Sequence, residues 1–322
     1  MKNILLLNVI LLLVFQSCQK DGLSDAADSQ MTFLPKLADY NIYKDNLRDL
    51  IPNDGFRLYQ LGSSLFTDFS EKQRLIKVPS GTQLKFIDNG LPNFPDGTII
   101  VKTFYYFNDK RDASKGKRII ETRLLIKEAG VWNVADYLWN EEQTDATLIE
   151  DGINTMVNYI NENGQGKVIA YHVPSNRECA TCHLKNETIV PIGPKLRNLN
   201  LSVETPLGTV NQLSYFQDVD LLEKFDLSTL VATPDYHNPD VSTELRARAY
   251  LDINCGHCHK QDGFAADEGL MLSYEVLLDE SKIRERKRAI VNHLKEGEMP
   301  SLGTTVLDEK GIELIEEFIN SL

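Results

Sequence analysis

Two stretches of this chain share one five-residue pattern: Cys179-Ala180-Thr181-Cys182-His183 and Cys255-Gly256-His257-Cys258-His259. The chain has 5 cysteines, and the only one outside these units is Cys18. Histidine is scarce, 6 residues in 322, so a histidine directly after each cysteine pair is not a chance arrangement. The fold must therefore hold two sets of two thiols and an imidazole in defined positions. A disulfide framework would use the sulfurs but leave His183 and His259 without a role. A four-cysteine zinc site usually separates its pairs by about 15–20 residues, far fewer than lie between Cys182 and Cys255, and it too ignores the histidines. A thioredoxin-like redox pair belongs in a βαβ pattern, which neither unit has.

One chemistry uses every residue of both units. Two cysteines three positions apart reach the two vinyl groups of a haem as thioethers, and the histidine that follows reaches the iron. The expectation is two covalently bound haem c groups. Cys179 and Cys182 would hold one and Cys255 and Cys258 the other, with His183 and His259 as axial iron ligands.

The N-terminus has the layout of an export signal. Lys2 is followed by an apolar run from Ile4 to Phe15, broken only by Asn8, and Ser17 precedes Cys18. The run is too short for a good membrane-spanning helix, which needs about 20 apolar residues, and fits a secretory h-region. Residues 1–17 are thus expected to be a lipoprotein signal peptide, with Cys18 the lipidated residue and 18–30 a small, polar tether. Cys18-Gln19-Lys20-Asp21 resembles the surface-export signal of lipoproteins of Bacteroidota-type bacteria. The expected location is the outer membrane, facing the periplasm or the cell surface, with membrane contact through the lipid alone. A net charge of −13 argues against nucleic acid as a partner, because phosphates would repel it, and is compatible with docking onto a basic redox protein.

From 31 to 170 the signals are strand and turn. Leu75–Val78 and Leu84–Ile87 flank Pro79-Ser80-Gly81, which reads as a hairpin. Thr98–Phe107 is β-branched and aromatic, and Arg118–Lys127 with Val131–Asn140 reads as a second hairpin around Glu128-Ala129-Gly130. The aromatics Phe104, Tyr106, Trp132 and Trp139 read as core, and this half shows no chemical constellation of its own. From 171 to 322 the pattern turns helical. Val173–Leu201 reads as loop, Asp218–Leu230 has helical spacing, and helices are expected over Thr243–Ile253, Lys282–Lys295 and Asp308–Leu322, the last capped by Asp308. The expected class is α+β: a sandwich- or barrel-like β-rich domain over 31–170, then a mainly α region over 171–322.

The order of helix, Cys-x-x-Cys-His, Met299-Pro300 and closing helix resembles that of small Met/His-ligated cytochromes c. That resemblance makes Met299 the sixth ligand of the second iron, with His257 a spacer, and His293, six residues before Met299 on an expected helix, reads as a surface or propionate-side residue. For the first iron, Pro191-Ile192-Gly193-Pro194 and Leu196 resemble a haem-lining stretch. The sixth ligand there stays open among His237, His172, Met271 or none. More widely, the chain resembles the exported dihaem c-type cytochromes of bacterial envelopes. The matching stretches are Leu65–Asp68, Pro92–Lys102, Ile120–Leu125, Pro174–His183, Arg248–His259 and Met299–Gly303. The resemblance implies a lipid-anchored dihaem carrier that exchanges electrons with a dehydrogenase or terminal acceptor. The alternative is a peroxidase-like dihaem oxidoreductase with one open iron. A third reading is a ligand-binding surface lipoprotein whose haems are auxiliary.

Overall fold

Six strands succeed one another in a single antiparallel sheet: β1 (Arg57–Leu58), β2 (Glu71–Lys77), β3 (Ile99–Phe107), β4 (Lys117–Glu128), β5 (Val131–Trp139) and β6 (Ala146–Ile149). The computed structural model describes residues 31–205 and 208–322, so the signal stretch, Cys18 and the tether lie outside the described residues. The β4–β5 hairpin forms where the sequence places it. Ala129 and Gly130 both have positive φ, 49° and 81°, the geometry of a turn whose twist matches that of its strands.

The central strands are buried on both faces, as expected of strands covered on each side. The chain from 33 to 56 lies across one face. Tyr43 Oη is 2.6 Å from Thr103 Oγ1, which is 2.9 Å from Thr122 Oγ1, and the Trp139 indole N–H donates to the same Thr122 oxygen. On the other face Ile76, Ile100, Leu125 and Val134 share a core with Cys179, Leu196, Leu213 and Phe216 from the second half of the sequence. Residues 33–322 form a compact unit, and segments on both sides of residue 170 contribute to this core. A ribbon of β7 (Ile153–Ile160) and β8 (Gly166–Val173) packs Val157, Tyr159, Ile169 and Tyr171 onto Tyr106 and Ile120.

The remaining elements are α1 (Asn176–His183), the short pair β9 (Leu184–Lys185) and β10 (Thr188–Ile189), α2 (Leu196–Leu199), the pair β11 (Ser202–Thr205) and β12 (Gly208–Asn211), α3 (Gln212–Asp218), α4 (Thr243–Asn254), α5 (Ile283–Lys295) and α6 (Glu309–Ser321). The chain thus has mixed α/β content, with a large antiparallel sheet first and most helices later. None of the described helices is long and apolar enough to cross a membrane.

Three local expectations are corrected. Leu84–Ile87 does not return along β2. Leu84 N–H donates to Leu221 O and Leu84 O accepts from Glu223 N–H, because Leu84 is drawn into the core that also holds Leu221 and Leu222. Asp218–Leu230 is not a helix. The helix there is α3, started by Asn211, whose Oδ1 accepts from Leu213 N–H and Ser214 N–H, and Asp220 at φ 58° follows its end. Residues 176–183 are not loop: a capping box between Ser175 and Glu178 starts α1.

α4 and α6 cross closely. Ile315, Phe318 and Ile319 of α6 are buried with Ala249, Tyr250 and Ile253 of α4, each large apolar side chain contributing about 1.5–3 kcal/mol. Gly311 permits the crossing, since a Cβ there would lie 2.3 Å from Tyr250 Oη. Helix propensity alone would favour Gly311→Ala by up to about 1 kcal/mol. Overpacking at a closed contact costs about 1–3 kcal/mol, so the clash should win. Urea unfolding is expected to show Gly311→Ala less stable with an unchanged m-value. A gain in stability would mean that the Tyr250 contact does not set the crossing.

Candidate functional site

α1 puts the first unit on one helical face. Cys179, Cys182 and His183 stand at positions i, i+3 and i+4, which are neighbours on a helix surface. Cys179 is buried in the core beneath the sheet, and burial pushes its thiol up to about 12. His183 Nδ1 lies 2.7 Å from the backbone carbonyl of Val190. A carbonyl only accepts, so Nδ1 carries the proton and Nε2 keeps its lone pair. Burial, helped by the nearby Lys102, lowers the pKa of this imidazole to about 3 and keeps it neutral. A neutral imidazole fixed through one nitrogen and free at the other is the form in which histidine binds a metal.

The second unit follows α4 directly, and Cys255 is that helix's C-cap residue. Cys255 N–H and Gly256 N–H both donate to Leu251 O, and His259 N–H donates to Cys255 O, so the unit continues as one further helical turn. Burial raises the Cys255 thiol to about 12 and lowers the His259 imidazole. Among the described residues His259 Nδ1 is buried without a hydrogen-bond partner, unlike its counterpart in His183.

The fold brings the two units together. Sulfurs of Cys182 and Cys258 and a ring nitrogen of His257 lie within 4.8 Å of one another. The Cys182 thiol, hydrogen-bonded to Cys258 and buried, is raised to about 12, and the same bond lowers Cys258. A cavity of about 230 Å³ is lined by Cys179, Cys182, His183, Cys255 and Met299. A second, of about 1110 Å³, is lined by Cys182, His257, Lys260 and Met271.

Met299 is 40 % exposed at the rim of the first cavity. The segment after it is held by Asp68, whose carboxylate accepts from Thr305 N–H (2.8 Å), Thr305 Oγ1–H (2.9 Å) and Val306 N–H (3.2 Å). Phe66 N–H donates to Asn254 Oδ1 beside Cys255, so the 65–68 stretch touches both the Met299 segment and the second unit. Two of the remaining ligand candidates line neither cavity. His172 has Nδ1 2.7 Å from Asn154 Oδ1 and Nε2 3.1 Å from Glu178, and His237 is exposed beside Tyr236.

Two features lie beyond the sequence motifs. One is Lys102 and Arg123, which line the first cavity from the sheet. Their sequence signal is a cation at an inward position of an otherwise apolar alternation, Ile100-Lys102-Phe104. The other is Asp252, three residues before Cys255, whose carboxylate accepts from Lys195 Nζ (2.8 Å), Arg197 Nη2 (3.1 Å) and Tyr274 N–H (3.0 Å).

Comparison with protein-family models, curated proteins and solved structures finds no match to this chain.

Burial opposes ionisation of Asp252, but Lys195 and Arg197 outweigh it, and its carboxyl sits below the ordinary value of 3.8. A carboxyl lowered by folding stabilises the protein above its unfolded pKa, and that contribution is lost as pH falls through the folded value. Asp252→Asn leaves Arg197, 3 % exposed, with the half-exposed Glu275 as its remaining carboxylate and should cost about 1–3 kcal/mol at pH 7. The difference from wild type should shrink below about pH 4 in urea titrations. A constant difference from pH 7 to pH 3 would mean that folding leaves the Asp252 carboxyl at its unfolded pKa and does not lower it.

Proposed function

We propose that this chain carries two covalently attached haems, one on Cys179–His183 and one on Cys255–His259, and serves as an electron carrier of the cell envelope. The observation that carries the reading is the convergence of two Cys-x-x-Cys-His units, far apart in sequence: Cys179, Cys182, His183 and Cys255 line one cavity and Cys258 lies beside Cys182, whereas His259 lines neither cavity. The donor set fits. The first unit offers two thiols and an imidazole from one helical face, with Nε2 left free by the Val190 hydrogen bond. The second cavity, about 1110 Å³, is on the scale of the about 300–1,000 Å³ typical of a cofactor pocket, and the first, about 230 Å³, is smaller and adjoins it at Cys182 and His257. Haem held there supplies a one-electron iron couple whose potential is set by axial ligands, nearby charge and burial.

The chain's own residues prepare for that role. His183 is held neutral and in one tautomer. The sheet, through Ile100 and Leu125, gives the first cavity apolar lining beside Lys102 and Arg123. Met299 offers a thioether to the same cavity from a segment fastened by Asp68. The crossing of α4 and α6 around the second unit supports a cytochrome c-like arrangement of that region. Lipid attachment at Cys18 and export belong to the same proposal, and the acidic surface suits transient docking onto a basic redox partner.

One observation favours a second reading. Cys182, His257 and Cys258 form a compact two-sulfur, one-nitrogen cluster, a donor set that also suits zinc with a fourth position open.

Absorption spectra decide between the two. Protein matured with a c-type attachment system should show intense visible bands that sharpen on reduction and survive acid-acetone extraction. A colourless chain with one zinc fits the second reading instead. Met299→Ala should remove the weak near-infrared sulfur-to-iron band of the ferric protein, and Met299→His should lower one potential, because imidazole favours ferric iron more than thioether does. A band that persists in Met299→Ala excludes Met299 as a ligand.

A further inference from the structure

The sheet face that lines the first cavity carries an uncompensated row of charge. Register places Arg74 opposite Lys102, Lys102 opposite Arg123 and Arg123 opposite Asp136, one residue from each of β2, β3, β4 and β5. Neighbouring strands lie about 4.8 Å apart, and like charges directly opposite each other destabilise a sheet. Arg123 is satisfied: Nη2 is 2.6 Å from Glu121 Oε1 and Nε is 3.1 Å from Asp136 Oδ2, both carboxylates being fully buried. Tyr171 Oη donates to the same Glu121 oxygen. Arg74 donates to Ser64 Oγ at 2.6 Å.

Lys102 has no such partner. Among the described residues no acceptor takes a hydrogen bond from its Nζ and no carboxylate lies within ion-pair distance, and its ammonium sits 4.7 Å from the centre of the Phe104 ring. Burial, with Arg74, Arg123 and Lys72 as like-charged neighbours, pushes its pKa well below the ordinary lysine value. The carboxylate nearest in role, Glu178, lines the same cavity but is committed to Ser175 and His172. A buried ammonium without an anion is costly, and the chain places this one in the wall of the cavity that also contains Cys179, Cys182 and His183.

We propose that Lys102, flanked by Arg74, is a carboxylate-binding site that receives the ionised side-chain carboxylates of the porphyrin held on Cys179–His183. The inference rests on the haem reading above and adds to it the residues that orient the group and bias its potential. Carboxylate is the shared chemistry, and it could come from the porphyrin itself or from a small free acid. A porphyrin carboxylate at Lys102 would complete the row, since Arg123 already has Glu121 and Asp136. The ammonium would also disfavour the additional positive charge of ferric iron and so raise the potential of that haem.

The test uses the mature protein with its haem content measured first. Potentiometric titration and resonance Raman spectra are compared for wild type, Lys102→Gln and Lys102→Arg, and wild type is also titrated with acetate. In Lys102→Gln one of the two potentials should fall by about 59 mV, a tenfold change in the ferric-to-ferrous ratio at fixed potential. Arg74 and Arg123 would keep the porphyrin carboxylates ionised. One porphyrin-carboxylate vibration should shift in Lys102→Gln, and Lys102→Arg should restore the potential. Acetate should leave the wild-type spectrum unchanged, an arm that needs no variant to fold. Two haems with potentials and carboxylate vibrations unchanged in Lys102→Gln would overturn the assignment while leaving the haem reading intact. Saturable perturbation by acetate would mean that the site takes a free acid and not the porphyrin. A mature chain without haem would remove both readings together.

Discussion

The carboxylate of Asp252 ties together segments that carry the two cysteine units. It belongs to α4, one turn before Cys255, and it accepts from Lys195 and Arg197 in the segment that follows the first unit and from the backbone of Tyr274 beyond the second. Arg197 also pairs with Glu275 and stacks its guanidinium 4.8 Å from the Tyr274 ring centre. Ions so deeply buried are tolerated only when each has a partner, which makes the geometry around Asp252 stiff. The approach of Cys182 to Cys258 then follows from how α1 packs on the sheet and how α4 packs on α6.

The sheet supplies the wall against which this clamp works. Its strands carry apolar residues at most inward positions, so the few polar ones stand out: Arg74, Lys102, Glu121, Arg123 and Asp136 lie on two adjacent rows of one face. Glu121 and Asp136 are close enough to couple. Burial and the neighbouring Glu121 raise Asp136 well above the ordinary carboxyl value, whereas Arg123 holds Glu121 below it against the effect of burial. Two carboxyls that share one guanidinium in this way carry less than two full charges. That leaves the cationic side of the row in excess, facing the cavity beside Cys179.

Much of this was legible in the sequence, and the exceptions have physical causes. The β4–β5 hairpin, α4, α5 and α6 followed from periodicity and caps, because each is a local pattern whose tertiary partners agree with it. Leu84–Ile87 had equally good local signals, but burying Leu84 against Leu221 and Leu222 outweighed a second arm for the hairpin, and nothing local reports that partner. α1 was missed although Ser175 and Glu178 write its capping box, because the prolines around it dominated the reading. The cysteine and histidine donors were legible as chemistry. Their convergence was not, since the contacts that produce it join residues far apart in the chain, such as Asp68 with Thr305. Lys102 has a sequence signal in the alternation Ile100-Lys102-Phe104, but a lysine in a strand usually faces water, and the register is what puts this one beside Arg74 and Arg123.

The intact mass of the denatured mature chain tests the central claim most directly. Unfolding releases any group held by coordination alone but leaves thioether bonds in place. The account predicts a chain heavier by two haems, and by one haem when either Cys-x-x-Cys pair is changed to alanine. A mass equal to that of the bare polypeptide, with zinc recovered from the native protein, would contradict it.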